Sequence, residues 1–376
     1  MNEIKMVDLE GQYHKISTEI DKAIKDIIHT STFINGEPVR KLQDKLAAYV
    51  GVKHAIACAN CTDALTLSLM ALGLKPGDEV ITTNFTFIAT VEAIALLRLT
   101  PVIVDVDPHT FTIDITEIEN HITPRTKAIM PVHLFGQGAR ISEIMEIAKE
   151  YNLYVIEDNA QSLGADYRMK RGQKKKLGSF GHISCTSFFP SKNLGCFGDG
   201  GAMFTDDDEL AEKLTMLANH GSYQKYFHEE IGINSRLDTI QAAVLLEKLK
   251  YLDEYNCTRA ACAEYYDSKL RDIDWIEIPF RNPESTHVFN QYTLKFKNGI
   301  SNAKVQNYLK SKNIPSMIYY PLPMHMQKAF KPYVSATKKY PVSEELMMQV
   351  LSLPMHTELT KDQMDAVVDA LLSYTE

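Results

Sequence analysis

Thr186-Ser187-Phe188-Phe189-Pro190-Ser191-Lys192-Asn193-Leu194-Gly195 is followed by Gly198-Asp199-Gly200-Gly201 and preceded by Val155-Ile156-Glu157-Asp158-Asn159-Ala160-Gln161. The upstream stretch reads as a buried strand that ends in an acid. The downstream stretch reads as a lysine on a loop that opens into glycines. Together they are what a Schiff-base cofactor needs: an amine to bond its aldehyde and a carboxylate to hold its ring.

Around this core, short apolar runs alternate with helical patterns from about residue 40 to 205. The predicted strands are 54–59, 79–83, 101–106, 128–132, 153–157 and 183–188, with one more at 201–205 after the lysine loop. Helices fall between them at 63–72, 87–96 and 141–151; in the first, apolar residues at 64, 65, 69 and 72 lie near one face. The alternation predicts right-handed βαβ units and a mostly parallel, buried sheet. A long helix is expected over 237–255, carrying Ala242, Leu245, Leu246, Leu249 and Leu252 on one face. The remainder mixes helices with a few strands and ends on an amphipathic helix over 361–374. The expectation is an α/β chain with a large sheet domain over residues 1–245 and a smaller C-terminal α/β domain over 246–376.

The bulk composition narrows the class. A chain of 376 residues exceeds what one compact core usually holds. With 45% hydrophobic and 23% charged residues it reads as ordinary and globular. A net charge of -8 gives no support to a nucleic-acid partner. No apolar run approaches the roughly 20 residues needed to span a membrane, and Met1 to Asp8 lacks the apolar core of a signal peptide. The expected compartment is the cytoplasm, with the six cysteines kept as thiols. Cys58 and Cys61 form a Cys-x-x-Cys, but no second pair follows at zinc-site spacing, so no metal is expected. The basic run Arg168 to Lys176 reads as a solvated hairpin tip.

The candidate chemistry is built from few residues. Lys192 would form the Schiff base with pyridoxal phosphate and then move protons; Phe188, Phe189, Leu194 and Phe197 supply apolar surroundings that lower its pKa. Asp158, at the carboxyl edge of the sheet, can keep the pyridine nitrogen protonated, although an acid there equally caps the next helix. Gln161 is in reach of the ring hydroxyl. Asn60-Cys61-Thr62-Asp63 opens a helix directly after a strand and offers backbone N–H groups and a hydroxyl to a phosphate. Ser187 is a second phosphate candidate. Phe87 can stack on the ring or simply fill the core.

With these residues assembled, the chain resembles the DegT/DnrJ/EryC1/StrS family of sugar aminotransferases along nearly its whole length. The motifs include Phe33-Ile34-Asn35-Gly36, Thr62-Asp63-Ala64-Leu65, Pro76-Gly77-Asp78-Glu79-Val80, Pro131-Val132-His133-Leu134-Phe135-Gly136, the Lys192 loop, Asn234-Ser235-Arg236-Leu237-Asp238 and Tyr319-Tyr320-Pro321 with His325. The resemblance implies the pyridoxal-phosphate transferase fold of type I, which is aspartate aminotransferase-like. It implies Lys192 as the Schiff-base lysine, Asp158 on the pyridine nitrogen, and Phe87 and Gln161 on the ring. Thr62, Asp63 and Ser187 would hold the phosphate, joined by Asn234 of a second subunit, so a homodimer with shared sites is expected. Arg236, Tyr319, Tyr320 and His325 would meet the sugar nucleotide. One departure is Cys61, where the family usually has glycine.

The implied reaction moves an amino group from L-glutamate to a keto sugar linked to a nucleoside diphosphate. The local pattern is most similar to members that aminate C3, with UDP-2-acetamido-2-deoxy-3-oxo-glucuronate as the expected substrate and O-antigen sugars as the destination. Arg236 would pair with the substrate carboxylate, or else only brace its loop. The alternatives are a C3 or C4 aminotransferase for a dTDP- or UDP-linked keto-6-deoxy sugar, and a non-catalytic cofactor-binding regulator.

Overall fold

The computed structural model describes residues 3–169, 172–335 and 337–375. Seven strands build the central sheet: β1 (His54–Cys58), β2 (Glu79–Thr83), β3 (Thr100–Val104), β4 (Thr126–Met130), β5 (Tyr154–Asp158), β8 (Ile183–Ser187) and β9 (Gly201–Thr205). Between β5 and β8, β6 (Asp166–Arg168) pairs with β7 (Lys174–Lys176) as a separate hairpin. The spatial order is β1-β9-β8-β5-β4-β2-β3. β9 runs antiparallel to both neighbours and every other pairing is parallel. The carboxyl ends of six strands therefore share one edge, and β9 begins there. Ligands of open α/β sheets bind at that edge.

The strands were legible because strands buried on both faces read as continuous apolar runs. Each lies within two residues of its predicted span. The basic run does form a hairpin, tied by Lys176 to Asp166 at 3.0 Å; Lys170 and Arg171, in the same run, lie outside the described residues.

A second sheet, β10 (Ile276–Glu277), β11 (Tyr292–Phe296) and β12 (Val350–Leu353), is antiparallel. Its core joins Tyr266, Tyr292, Phe296, Leu351, Val367 and Leu371. The final helix, Lys361–Leu372, starts on a capping box in which Thr360 and Gln363 satisfy each other's backbone N–H groups. Ile4 packs into this same core, and Gln363 donates to the Glu3 carbonyl at 3.1 Å.

The long helix expected over 237–255 is instead two helices, Thr239–Leu249 and Leu252–Leu270. The N–H groups of Lys250 and Tyr251 bond back three residues, to Glu247 and Lys248, which tightens and ends the first helix. The packing partner changes at this point. The first helix lies on the helices Ser17–Thr30 and Glu37–Val50, and the second on Lys361–Leu372. The buried stripe differs too. Leu246 and Leu249 are only partly buried, whereas Lys248, absent from the predicted face, is 2% exposed.

His356 sits beside the C-terminal core at 2% exposure, its Nδ1 accepting from the Glu358 N–H at 3.2 Å. Burial, helped by Arg259, pushes its pKa down to about 4. The unfolded chain titrates near 6.5 and so binds more protons than the folded chain between pH ~6.5 and ~4. This contribution is complete above pH ~6.5 and is lost as pH falls toward ~4, on the order of 3 kcal/mol in all. Urea unfolding at pH 7 and pH 4.5 should show that loss, and His356→Leu should shrink it. An undiminished loss in the variant removes His356 as the cause.

Candidate active site

β5 delivers two adjacent carboxylates to opposite faces of the sheet. Asp158 is buried, and its N–H and carbonyl bond to Pro131 and His133, extending the sheet past β4. Its carboxylate accepts from Thr90 Oγ1 at 2.8 Å and from the Ala160 N–H at 3.2 Å. Burial pushes its pKa up, against these two donors and the charge of Lys192. A carboxylate so placed is completed by a cation in front of it.

Glu157 faces the other way and is fully buried. It accepts from His133 Nε2 (2.9 Å) and from the N–H groups of Gly178 (2.9 Å), Phe180 (2.8 Å) and Gly181 (2.7 Å). Burial pushes this carboxyl up, but the His133 hydrogen bond and the backbone donors outweigh it and hold the group below its ordinary value. The Ala139 N–H donates to His133 Nδ1 at 3.1 Å, which assigns the ring proton to Nε2.

The Lys192 loop leaves β8 at Ser187 and returns to β9 at Gly201. Backbone bonds from Phe188 to Gly200, Cys196 to Phe188 and Lys192 to Phe189 close it. Gly195 is obligatory, since a Cβ there would sit 2.2 Å from the Pro190 carbonyl oxygen. Asn193 anchors the loop through Asn256 Oδ1 (2.7 Å), the Val288 carbonyl (2.8 Å) and Asn290 (3.2 Å). Desolvation lowers the pKa of Lys192, with Cys61 and Asp158 opposing. A lysine amine of lowered pKa within electrostatic reach of a buried carboxylate is equipped to attack a carbonyl.

Beyond Lys192, β1 runs through Asn60 into the helix Cys61–Ala71. The Asn60 side chain caps it by accepting from the Asp63 N–H at 2.8 Å. The first-turn N–H groups of Cys61 and Thr62 have no acceptor inside the helix. A Cβ on Gly201 would come within 2.6 to 2.9 Å of Asn60 and Cys61 backbone atoms, so only glycine lets β9 pass this turn. Ser187 Oγ accepts from the Phe189 N–H at 3.2 Å, leaving its hydroxyl proton to donate. This donor set, at a helix N-terminus beside a desolvated lysine, fits a phosphate-bearing aldehyde cofactor. Cys61, despite the departure, is accommodated with its thiol buried; Cys58 and Cys61 are free thiols.

An aromatic wall stands over the carboxyl edge. Phe85 is fully buried, whereas Phe87 stays 56% exposed, so Phe85 fills the core and Phe87 does not. Tyr320 lies within 6.5 Å of the rings of Phe85, Phe87 and Phe135. Gln161 Oε1 accepts from the Phe135 N–H at 2.7 Å, which fixes the amide so that Nε2 donates to the Tyr320 hydroxyl at 3.1 Å. Tyr319 packs edge-on against Tyr320. His325 is braced by Asn84 through both its backbone N–H and its ring Nδ1, each at 2.9 Å. Its Nε2 is 3.5 Å from Glu344.

Asn234 and Arg236 flank Ser235, whose Oγ accepts from the Ala59 N–H at 3.1 Å just before the Asn60 turn. Asn234 is exposed and bridges to Asn219; Arg236 donates to Asn219 Oδ1 at 3.3 Å. Arg236 lines a cavity of about 330 Å³ with Asn35, Arg40, Gln43 and Tyr223, and no residue of the Lys192 cluster lines it. Its Nε is buried without a partner among the described residues. The residues that sequence reasoning missed are Thr90, His133 with Glu157, and Asn84. His133 and Glu157 stood within quoted motifs, but nothing in the spacing pairs them. Thr90 and Asp158 are 68 positions apart.

The model of the DegT/DnrJ/EryC1/StrS aminotransferase family matches residues 14–372. The chain is 45% identical over 368 residues to the UDP-2-acetamido-2-deoxy-3-oxo-D-glucuronate aminotransferase of Pseudomonas aeruginosa, covering 98% of this chain and 99% of that one. It is 42% identical over 373 residues to the pleiotropic regulatory protein of Geobacillus stearothermophilus, covering 99% and 98%. The fold superimposes on a crystal structure of S. venezuelae DesV in complex with a ketimine intermediate, with TM-score 0.95 and 37% identity over 100% of both chains. The chain belongs to the DegT/DnrJ/EryC1/StrS family, and is an aminotransferase that depends on pyridoxal phosphate.

Proposed function

We propose that this enzyme transfers the amino group of L-glutamate to C3 of a UDP-linked 2-acetamido-2-deoxy-3-oxo-glucuronate, in the cytoplasm, for surface-polysaccharide or O-antigen sugars. The observation that carries the chemistry is Lys192 on its glycine-closed loop, desolvated and within electrostatic reach of the buried Asp158. When bound, the cofactor supplies an electron sink for the amino-group carbon. Asp158 would keep its pyridine nitrogen protonated. Thr62, Asp63 and Ser187 would hold its phosphate, with Asp63 contributing through its place in the helix turn, since its N–H is taken by Asn60. Phe87 would cover one ring face and Gln161 would reach the ring hydroxyl. Lys192 Nζ would carry the proton in both half-reactions, first from glutamate and then to the sugar carbon. Tyr319, Tyr320 and His325 would line the sugar side, although Tyr320 and His325 are already bonded to Gln161 and Asn84 and so act there as fixed walls.

The site is proposed to be completed by a second copy of the chain, bringing Asn234 to the phosphate and Arg236 to the sugar. Asn234 is exposed, and the segment before it, where Tyr223 (63%), Tyr226 (79%), Phe227 (62%) and Ile231 (89%) stand out, presents an apolar surface typical of an interface, which supports this. The likeness to the glucuronate enzyme and the unpartnered Arg236 Nε together support a carboxylate on the substrate.

A product assay with glutamate as donor, over a panel of nucleotide-linked keto sugars, tests the reading. Amination of the 3-oxo-glucuronate above the others is expected. Preference for a keto-6-deoxy sugar would move the assignment to that substrate. No turnover of any, in a protein whose colour glutamate does not bleach, would favour a regulator. Arg236→Ala should lower kcat/KM for the glucuronate ketone by roughly 10- to 100-fold, the worth of a charged hydrogen bond, and spare a neutral 6-deoxy ketone. Equal losses on both substrates would remove the carboxylate role.

A further inference from the structure

Lys248 stands on the core face of the helix Thr239–Leu249, where the apolar pattern calls for a leucine or methionine. Its ammonium donates to the Gly195 carbonyl at 2.6 Å and lies 5.6 Å from the centre of the Phe197 ring. The ionisable groups near it are the Cys196 thiol and the Arg259 guanidinium, and no carboxylate pairs with it among the described residues. Burial pushes its pKa down to about 8. An ammonium taken out of water without an anion is unfavourable, and an apolar side chain of similar volume is often as stable or more so in such a position. Stability therefore does not account for a lysine here.

Its acceptor among the described residues lies three residues past Lys192. The same helix grips the next turn as well, where Gln241 accepts from the Phe197 N–H at 2.8 Å and donates to the Phe197 carbonyl at 3.2 Å. A Cβ on Gly195 would meet the Pro190 carbonyl oxygen at 2.2 Å, so the backbone packs closely against the start of the loop here. On the other flank Asn193 is tied to Asn256 and Asn290. Lys192 thus sits on a short span clamped at both ends, and Lys248 is the buried charge in one clamp.

We propose that Lys248 is a positioning residue for amino transfer: by anchoring the Gly195 carbonyl it fixes the span that carries Lys192, and so the placement of the Lys192 amine opposite Asp158. The proposal rests on Lys192 being the residue that bonds the cofactor.

Lys248→Met, reconstituted with pyridoxal phosphate, tests it. kcat is expected to fall roughly 10- to 100-fold, as for a small misplacement of a reacting group. KM for glutamate should be unchanged and Tm equal to wild type or higher. The rate at which apoprotein attaches the cofactor, followed by its visible band and by borohydride trapping on Lys192, should fall in step with kcat. Lys248→Gln, which keeps an N–H donor, should recover part of both. Unchanged kcat and attachment rate, or a kcat loss that only tracks a lowered Tm, would overturn the proposal. If the Met variant does not fold, the Gln variant carries the same measurements. If neither folds, the lysine is a requirement of the fold and the proposal fails. Wild-type protein that borohydride does not label on Lys192 would overturn the underlying reading, which separates that failure from this one.

Discussion

Lys192→Ala is expected to lower kcat by about 10⁴-fold or more, because in the proposed function it takes away both the covalent attachment and the proton carrier in one change. The cofactor should still bind, since Asp158, the Cys61–Ala71 helix terminus and Ser187 are untouched. Borohydride should then leave the protein unlabelled, and dialysis should strip the cofactor. A variant that retains even a hundredth of wild-type turnover would exclude the lysine from the chemistry. The same variant also tests the shared site. Mixed with Asn234→Ala after reversible dissociation, half of the dimers carry one site with both residues intact, so about a quarter of wild-type activity should return if Asn234 acts across the interface. No recovery from the mixture would place Lys192 and Asn234 in the same site of one chain, or make Asn234 dispensable.

Asp158→Ala should reduce kcat by roughly 10²- to 10³-fold, the usual loss when a preorganised charge partner is removed from a buried site. The change leaves Thr90 Oγ1 and the Ala160 N–H without their acceptor. It also removes the anion that opposes the desolvation of Lys192. Asp158→Asn keeps the shape and an acceptor but not the charge, so a loss of similar size in both variants assigns the effect to charge. If Asn restores most of the activity, the carboxylate serves only as an acceptor for Thr90. KM for glutamate should change little in either if, as proposed, the residue acts on the ring nitrogen and not on the donor.

The sheet was readable because its strands are short apolar runs separated by turn residues, and parallel strands need no side-chain alternation to be recognised. The axial residues of the candidate site were readable for a related reason. Asp158, Ser187 and the Thr62 turn stand at strand ends, and strand ends share an edge whatever the strand order. The bracing of those residues was not readable. Thr90 meets Asp158 only because the sheet order seats the start of the helix Ala89–Leu96, after β2, near β5, with β4 between them. The split after Leu249 was hidden because apolar spacing stays in phase across Lys250 and Tyr251 while the partner underneath changes. Lys248 was hidden because a lysine in an amphipathic pattern is ordinarily solvated.

β1 is the first strand of the sheet to be made, yet its only neighbour in the sheet is β9. Translation at 5–20 residues per second puts roughly 7 to 30 seconds between the emergence of His54–Cys58 and of Gly201–Thr205. For that interval the nascent chain holds an apolar edge with nothing to pair it, and the turn at Asn60 is not yet closed by Gly201. Capture of the cofactor at this turn therefore has to wait for β9. A stalled or truncated chain that ends before β9 should be a client of chaperones rather than a partial enzyme.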